Sequence, residues 1–163
     1  MPHATFPTPL GSCAVQWDGD KLTGFKLPGG AAPAIEDTPP HVRPEWILAV
    51  MERVRRHLAG DPQDFADLPY DFDRVPPFHR QVLNATLAVK SGHTTTYGAI
   101  AAALGQPPGA SRAVGTALGA NPWPLLIPCH RVVAANGRMT GFSGPGGVDT
   151  KAKLLALEGA QLL

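Results

Sequence analysis

Between Asp61 and Pro77 the chain passes through an acidic segment carrying prolines at 62, 69, 76 and 77, and the residue pattern differs on its two sides. Residues 1–73 hold 6 Lys+Arg against 11 Asp+Glu, a net of −5, whereas residues 74–163 hold 8 against 2, a net of +6. The formal charge of +1 conceals this split. We expect two parts: an N-terminal α/β domain over 1–73 in a supporting role, and a basic domain over 74–163 that meets any polyanion. Hydrophobic residues make up 44% of the chain and charged residues 17%, enough for a core and too few charges for a disordered chain. No apolar run approaches the ~20 residues that span a bilayer, so no membrane association is expected. No signal peptide is evident.

In the first part, Cys13 to Trp17 and Leu22 to Leu27 alternate around Asp18-Gly19-Asp20 and predict a hairpin. Pro28 to Pro40 reads as loop. Glu45 to Ala59 predicts a helix: Pro44 suits its first position, Ile47, Val50, Met51, Val54 and Leu58 recur at helical spacing, and Gly60 ends it. Arg53, Arg55 and Arg56 fall on its polar side and read as a solvated face.

In the second part, Phe78, Val82, Ala85 and Val89 line a helix ending at Gly92. A polar segment, 93–96, leads to Tyr97. Ile100 to Leu104 and Ala110 to Ala120 then predict two helices around a Gly-containing turn, a helix-turn-helix. The second of these is built of small residues (Ala110, Ser111, Ala113, Gly115, Thr116, Ala117, Gly119, Ala120) with Arg112 as its single charge. Such a surface suits shape-driven docking in a groove more than base readout, which needs long polar side chains. Tight helix packing explains it equally well. Asn136-Gly137 signals a hairpin, Gly141 to Gly147 a loop, and Thr150 to Glu158 a last helix with Asp149 as its cap and Gly159 at its end.

Ile127-Pro128-Cys129-His130-Arg131-Val132-Val133 carries the chemistry. The thiolate is the reactive form of cysteine, and an adjacent imidazole can hold it near neutral pH. A buried structural cysteine fits the same residues. The two cysteines, 13 and 129, form neither a disulfide framework nor a metal pair, and a reducing cytoplasm suits them. A cysteine hydrolase would need a histidine positioned as general base and an oxyanion site, and only the Cys-His adjacency suggests one; neighbouring residues on a strand also face opposite ways.

Pro128-Cys129-His130-Arg131-Val132, with Asn121-Pro122 before it and Asn136-Gly137, Ser143-Gly144, Lys153-Leu154-Leu155 and Glu158-Gly159 after it, resembles the methylated-DNA–protein-cysteine methyltransferases, the O6-alkylguanine-DNA alkyltransferases. Phe78 to Val82, Thr96-Tyr97-Gly98 and Ser111 to Gly115 match in the same order, so the resemblance covers residues 76–161. It implies an α+β fold: a small ribonuclease-H-like N-terminal domain and a mostly helical, winged-helix-like C-terminal domain with the helix-turn-helix. It implies irreversible, single-turnover transfer of a methyl or alkyl group from O6-alkylguanine, and from O4-alkylthymine, in double-stranded DNA to Cys129. The protein would act as a monomer, without metal or cofactor.

The resemblance also implies roles. Cys129 is the nucleophile, and His130 (through a water) and Glu158 form the relay that deprotonates it. Asn121 holds the turn before the cysteine. Tyr97 donates to the departing guanine, and Arg112 fills the stack once the nucleotide has flipped. Gly98 and Ala135 would meet DNA, and backbone groups at Cys129, Val132 and Ser143 the flipped base. Phe142 stands where many members carry tyrosine, and 143–147 is about two residues longer than in compact members. An alternative is a non-catalytic protein that recognises alkylated DNA, although such relatives lack the cysteine.

Overall fold

The computed structural model describes residues 2–29, 36–135 and 147–160. The anticipated turn at Asn136-Gly137, Phe142 and Ser143 lie outside the described residues. The architecture is mixed α/β.

Strands β1 (His3–Thr8), β2 (Gly11–Asp18) and β3 (Lys21–Lys26) form an antiparallel sheet in the order β1-β2-β3. The hairpin turns where Asp18-Gly19-Asp20 predicts, with Gly19 at φ +59°. Its register shifts between Gln16 and Trp17. Gly24 faces that shift, and a Cβ there would lie 2.5 Å from Gln16 Oε1, so a larger residue would have to displace the end of the Gln16 side chain. Strand β1 is an addition to the sequence reading. Its Pro7 obscures the strand signal, but an edge strand needs no ladder donor there.

Helix α1 (Glu45–Leu58) buries Ile47, Val50, Met51, Val54 and Leu58 as its periodicity predicts, and His57 with them. Pro44 is the N-cap, extended at φ −61° and ψ 149°, rather than the first helical residue. Arg56 is exposed as expected, but Arg53 and Arg55 are less solvated. Arg53 pairs with Asp67 at 3.0 Å and lies over the Phe65 ring, and Arg55 lies over Phe6. These contacts fasten the acidic segment and β1 to the helix.

The acidic connector is a packed strap. Leu22 N–H donates to Pro69 O at 2.7 Å and Asp71 N–H donates to Leu22 O at 2.9 Å, extending the β3 edge, while Phe65, Tyr70 and Val75 are buried. Trp123 Nε1 then donates to the same Leu22 carbonyl at 3.1 Å, and Phe25 N–H to Pro122 O at 3.0 Å. The buried apolar residues of both parts form one continuous cluster.

Helix α2 (Pro77–Leu87) stops five residues before Gly92. Strand β4 (Thr95–Thr96) runs into α3 (Tyr97–Ala103), where Thr96 Oγ1 caps the helix by accepting from Ala99 N–H at 3.0 Å. Helix α4 (Ser111–Gly119) packs on α3 and α2. Its Val114, Ala117 and Leu118 are buried, while Arg112, Ala113, Thr116, Gly119 and Ala120 are exposed. Strand β5 (Val132–Val133) pairs in parallel with β4. Cys129–Arg131 form a 3₁₀ turn, not a strand, so the argument from alternating strand faces does not apply to them. Helix α5 (Gly147–Leu157) starts earlier than expected and contains Asp149 in its first turn, where a carboxylate suits the helix dipole without acting as the cap.

Candidate active site

The segment leading to Cys129 is held by its own polar contacts. Asn121 Nδ2 donates to Ile127 O at 3.0 Å, and Asn121 Oδ1 accepts from Trp123 N–H at 2.9 Å. Between them Leu125, fully buried, sits at φ +76°. An L residue adopts that conformation only where its surroundings impose it, here an apolar pocket and the Asn121 brace. Pro128 (φ −81°, ψ 63°) centres an inverse γ-turn in which Cys129 N–H donates to Ile127 O at 2.8 Å. The 3₁₀ turn follows at once, and all three of its residues are buried.

Cys129 is 7% exposed. Burial pushes its thiol up, opposed by a hydrogen bond from the Asn121 side chain, the charge of Lys151 and the backbone N–H groups of Cys129 and His130. The site therefore rests as a thiol that its surroundings can convert to a thiolate.

Behind it, Glu158 gathers three side chains. His130 Nε2 is 2.9 Å from both carboxylate oxygens. Arg131 grips it with two bonds, Nε to Oε1 at 2.9 Å and Nη2 to Oε2 at 2.7 Å, and its Nη1 donates to Val89 O at 2.6 Å. His57 Nε2 lies 2.8 Å from Oε2. Burial raises the Glu158 carboxyl, but the bonds from Arg131, His130 and His57 outweigh it and hold the group well below the carboxylate range. His130 is fully buried, and burial lowers its pKa against the pull of Glu158. Its Nε2 proton points to the carboxylate, which leaves Nδ1 as the basic atom, and Nδ1 has no hydrogen-bond partner among the described residues. The arrangement can take a proton at Nδ1 and stabilise the resulting cation.

The structure thus brings together Cys129, His130, Glu158 and Asn121 and adds three residues to which the sequence reading gave no role, Arg131, His57 and Lys151. Lys151 is 1% exposed, donates to Val132 O at 2.7 Å and places Nζ 6.0 Å from the centre of the Tyr97 ring. Burial lowers its pKa, and the nearby Cys129 raises it. It was legible only as a charge at helical spacing before Leu154 and Leu155; His57 carried no signal beyond its position on the buried face of α1. Tyr97 is half-buried at the start of α3, against Gly115 of α4. Gly98, Arg112 and Ala135 are exposed and Val132 is buried, while Ser143 lies outside the described residues.

Comparison with known proteins places this geometry. The sequence model described as 6-O-methylguanine DNA methyltransferase, DNA binding domain, matches residues 77–160. A protein from Thermus thermophilus named DNA base-flipping protein is 41% identical over 94% of this chain and 97% of its own length. A Mycobacterium tuberculosis methylated-DNA–protein-cysteine methyltransferase is 33% identical over 96% of this chain and 91% of its own. A crystal structure of Mycobacterium tuberculosis OGT in complex with DNA superposes with a TM-score of 0.83 at 32% identity, covering 98% of this chain and 93% of that one.

Proposed function

We propose a mechanism from the premise that this chain belongs to the O6-methylguanine-DNA methyltransferase family: it binds DNA and repairs it directly, as a methylated-DNA–protein-cysteine methyltransferase. Cys129 is the acceptor. Its Sγ attacks the alkyl carbon of O6-alkylguanine, or of O4-alkylthymine, in line with the bond to oxygen. The S–C bond forms as the C–O bond breaks, and the bonding pair leaves on the base. The thiol proton passes through a water to His130 Nδ1, and Glu158 stabilises the imidazolium. Tyr97, at the start of α3, donates to the oxygen-bearing edge of the departing base, offsetting the charge that develops there.

The thioether product has no good leaving group, so each molecule acts once. The observation that carries this reading is the buried His130–Glu158 pair directly behind a thiol held by Asn121.

We read α3 and α4 as a helix-turn-helix within a winged-helix-like domain over residues 74–163, and residues 1–73 as a ribonuclease-H-like domain. The exposed small residues of α4 lie against the groove. Arg112 fills the stack left by the flipped nucleotide, with Gly98 and Ala135 at the DNA surface and backbone groups of Cys129, Val132 and Ser143 on the base. The protein acts as a monomer in a reducing cytoplasm, and the chemistry uses no cofactor, since the DNA is the alkyl donor.

The test is the intact mass after mixing with a duplex holding one O6-methylguanine. We expect a stoichiometric gain of about 14 Da, mapped to Cys129 and absent in Cys129→Ala. Lesion-selective binding with unchanged mass would refute transfer and leave recognition alone.

A further inference from the structure

His57 stands in the last turn of α1, 101 residues before Glu158, yet its imidazole belongs to the cluster behind the thiol. Two contacts define its state. Gln63 N–H donates to His57 Nδ1 at 3.0 Å, and a backbone amide can only donate, so Nδ1 carries a lone pair. The ring proton is therefore on Nε2, which donates to Glu158 Oε2 at 2.8 Å. Phe65 closes the imidazole from the side, edge to face, with centroids 5.4 Å apart. His57 is a neutral donor locked in one tautomer.

We propose that His57 is a positioning residue for the alkyl transfer, a fixed donor supplied by the N-terminal helix that limits how strongly Glu158 draws on the His130 proton. Arg131 occupies a lone pair on each carboxylate oxygen, and His57 occupies the other on Oε2. The lone pair left for His130 is on Oε1, yet its Nε2 stands 2.9 Å from both oxygens, so part of its proton faces an oxygen already saturated by His57 and Arg131, in place of one directed bond. Without the His57 donor, Oε2 turns a lone pair to His130 and favours the imidazolium, and with it the thiolate of Cys129. The charged and titratable groups around the carboxylate are Arg131 and His130 from the 3₁₀ turn and His57 from α1. Cys129 and Lys151 act on one another by charge, and Arg53 sits over the Phe65 ring. With His57 in place, a thiol that can be used only once rests protonated, in keeping with the burial that raises Cys129 and lowers His130.

The inference rests on the alkyl-transfer reading of Cys129, and its test is separable from it. The rate of Cys129 alkylation by iodoacetamide, located by peptide mass, is followed against pH in the full chain, in His57→Phe and in His57→Gln. We expect the His57→Phe midpoint to fall by about one pH unit, an increase approaching tenfold in reactivity below the midpoint. His57→Gln, whose amide donates from the position of Nε2, restores the original profile. Coincident profiles, or an upward shift in His57→Phe, overturn the inference. Iodoacetamide reads the thiolate without DNA, so a wild-type protein that takes no methyl group from DNA sinks the alkyl-transfer reading and leaves this measurement standing. Should His57→Phe not fold, ring ¹⁵N shifts of the wild type decide: a protonated Nε2 and bare Nδ1 at pH 7 support it, and an Nδ1–H or doubly protonated ring overturns it.

Discussion

Glu158 is the residue on which the buried polar chemistry converges. Replacing it by glutamine leaves the Arg131 guanidinium buried without a counter-charge, at a cost of about 3 kcal/mol. It also removes the group that stabilises a protonated His130. We expect Glu158→Gln to lower the urea midpoint at pH 7 and to abolish rapid methyl transfer. The pH dependence has a definite sign. Both Glu158 and His130 titrate below their ordinary values of 4.5 and 6.5 in the folded protein. Each therefore contributes stability that is complete above its ordinary value and is lost as pH falls towards its folded value. Wild-type stability should decline below pH 6.5, as the unfolded chain gains the His130 proton, and again below 4.5. Urea midpoints on either side of each value check this, and Glu158→Gln should shrink the lower step to what Asp37 and Asp64, also lowered, contribute. At this scale the sequence showed more than half of the site. Cys129 and His130 are adjacent, and the resemblance pointed to Glu158. His57 and Lys151 reach the site only through packing, and no local spacing marks a contact across 101 residues.

The helices were legible where their apolar faces repeat, and α1 buries the five residues that its spacing picked out. Strand β1 and the end of α2 were not: Pro7 hides an edge strand, and the Val89 side chain continues an apolar pattern after the backbone has left the helix. For α4 the sequence left two readings of its small residues, and the structure assigns a face to each. Gly115 turns to Tyr97, where an added Cβ would lie 3.8 Å from the ring, while Ala113, Thr116, Gly119 and Ala120 are exposed. Gly115→Ala should therefore fit, raise stability by up to ~1 kcal/mol through helix propensity and leave transfer unchanged. Gly115→Val should press on Tyr97 and slow transfer about tenfold or more with the fold intact, because small displacements at a reacting group are costly. Thermal denaturation and the time course of the mass shift separate the two effects.

Over the whole molecule, the charge split was plain in the sequence, but it overstates the free positive surface. Arg74 is paired with Asp18 and Asp71, Lys90 with Asp64 and Arg131 with Glu158, and Lys151 is buried. We expect the logarithm of the DNA affinity to fall with the logarithm of salt concentration at a slope no steeper than about −4, as four or fewer phosphates are neutralised. A slope near twice that would mean that the pairs above open on binding. The acidic strap looked in the sequence like the boundary between two parts, because of its prolines and aspartates. Its backbone groups pair with Leu22, which composition cannot reveal.

That pairing has a consequence for the order in which the protein is made. Leu22 meets Trp123, and His57 meets Glu158, each across 101 residues of chain. During synthesis the sheet and α1 leave the ribosome long before either partner exists, with their inner faces uncovered. The carboxylate that equips the thiol is translated 29 residues after it. A nascent chain therefore carries its cysteine as an ordinary thiol until Glu158 has followed it, and the reagent is armed only when the chain closes on itself.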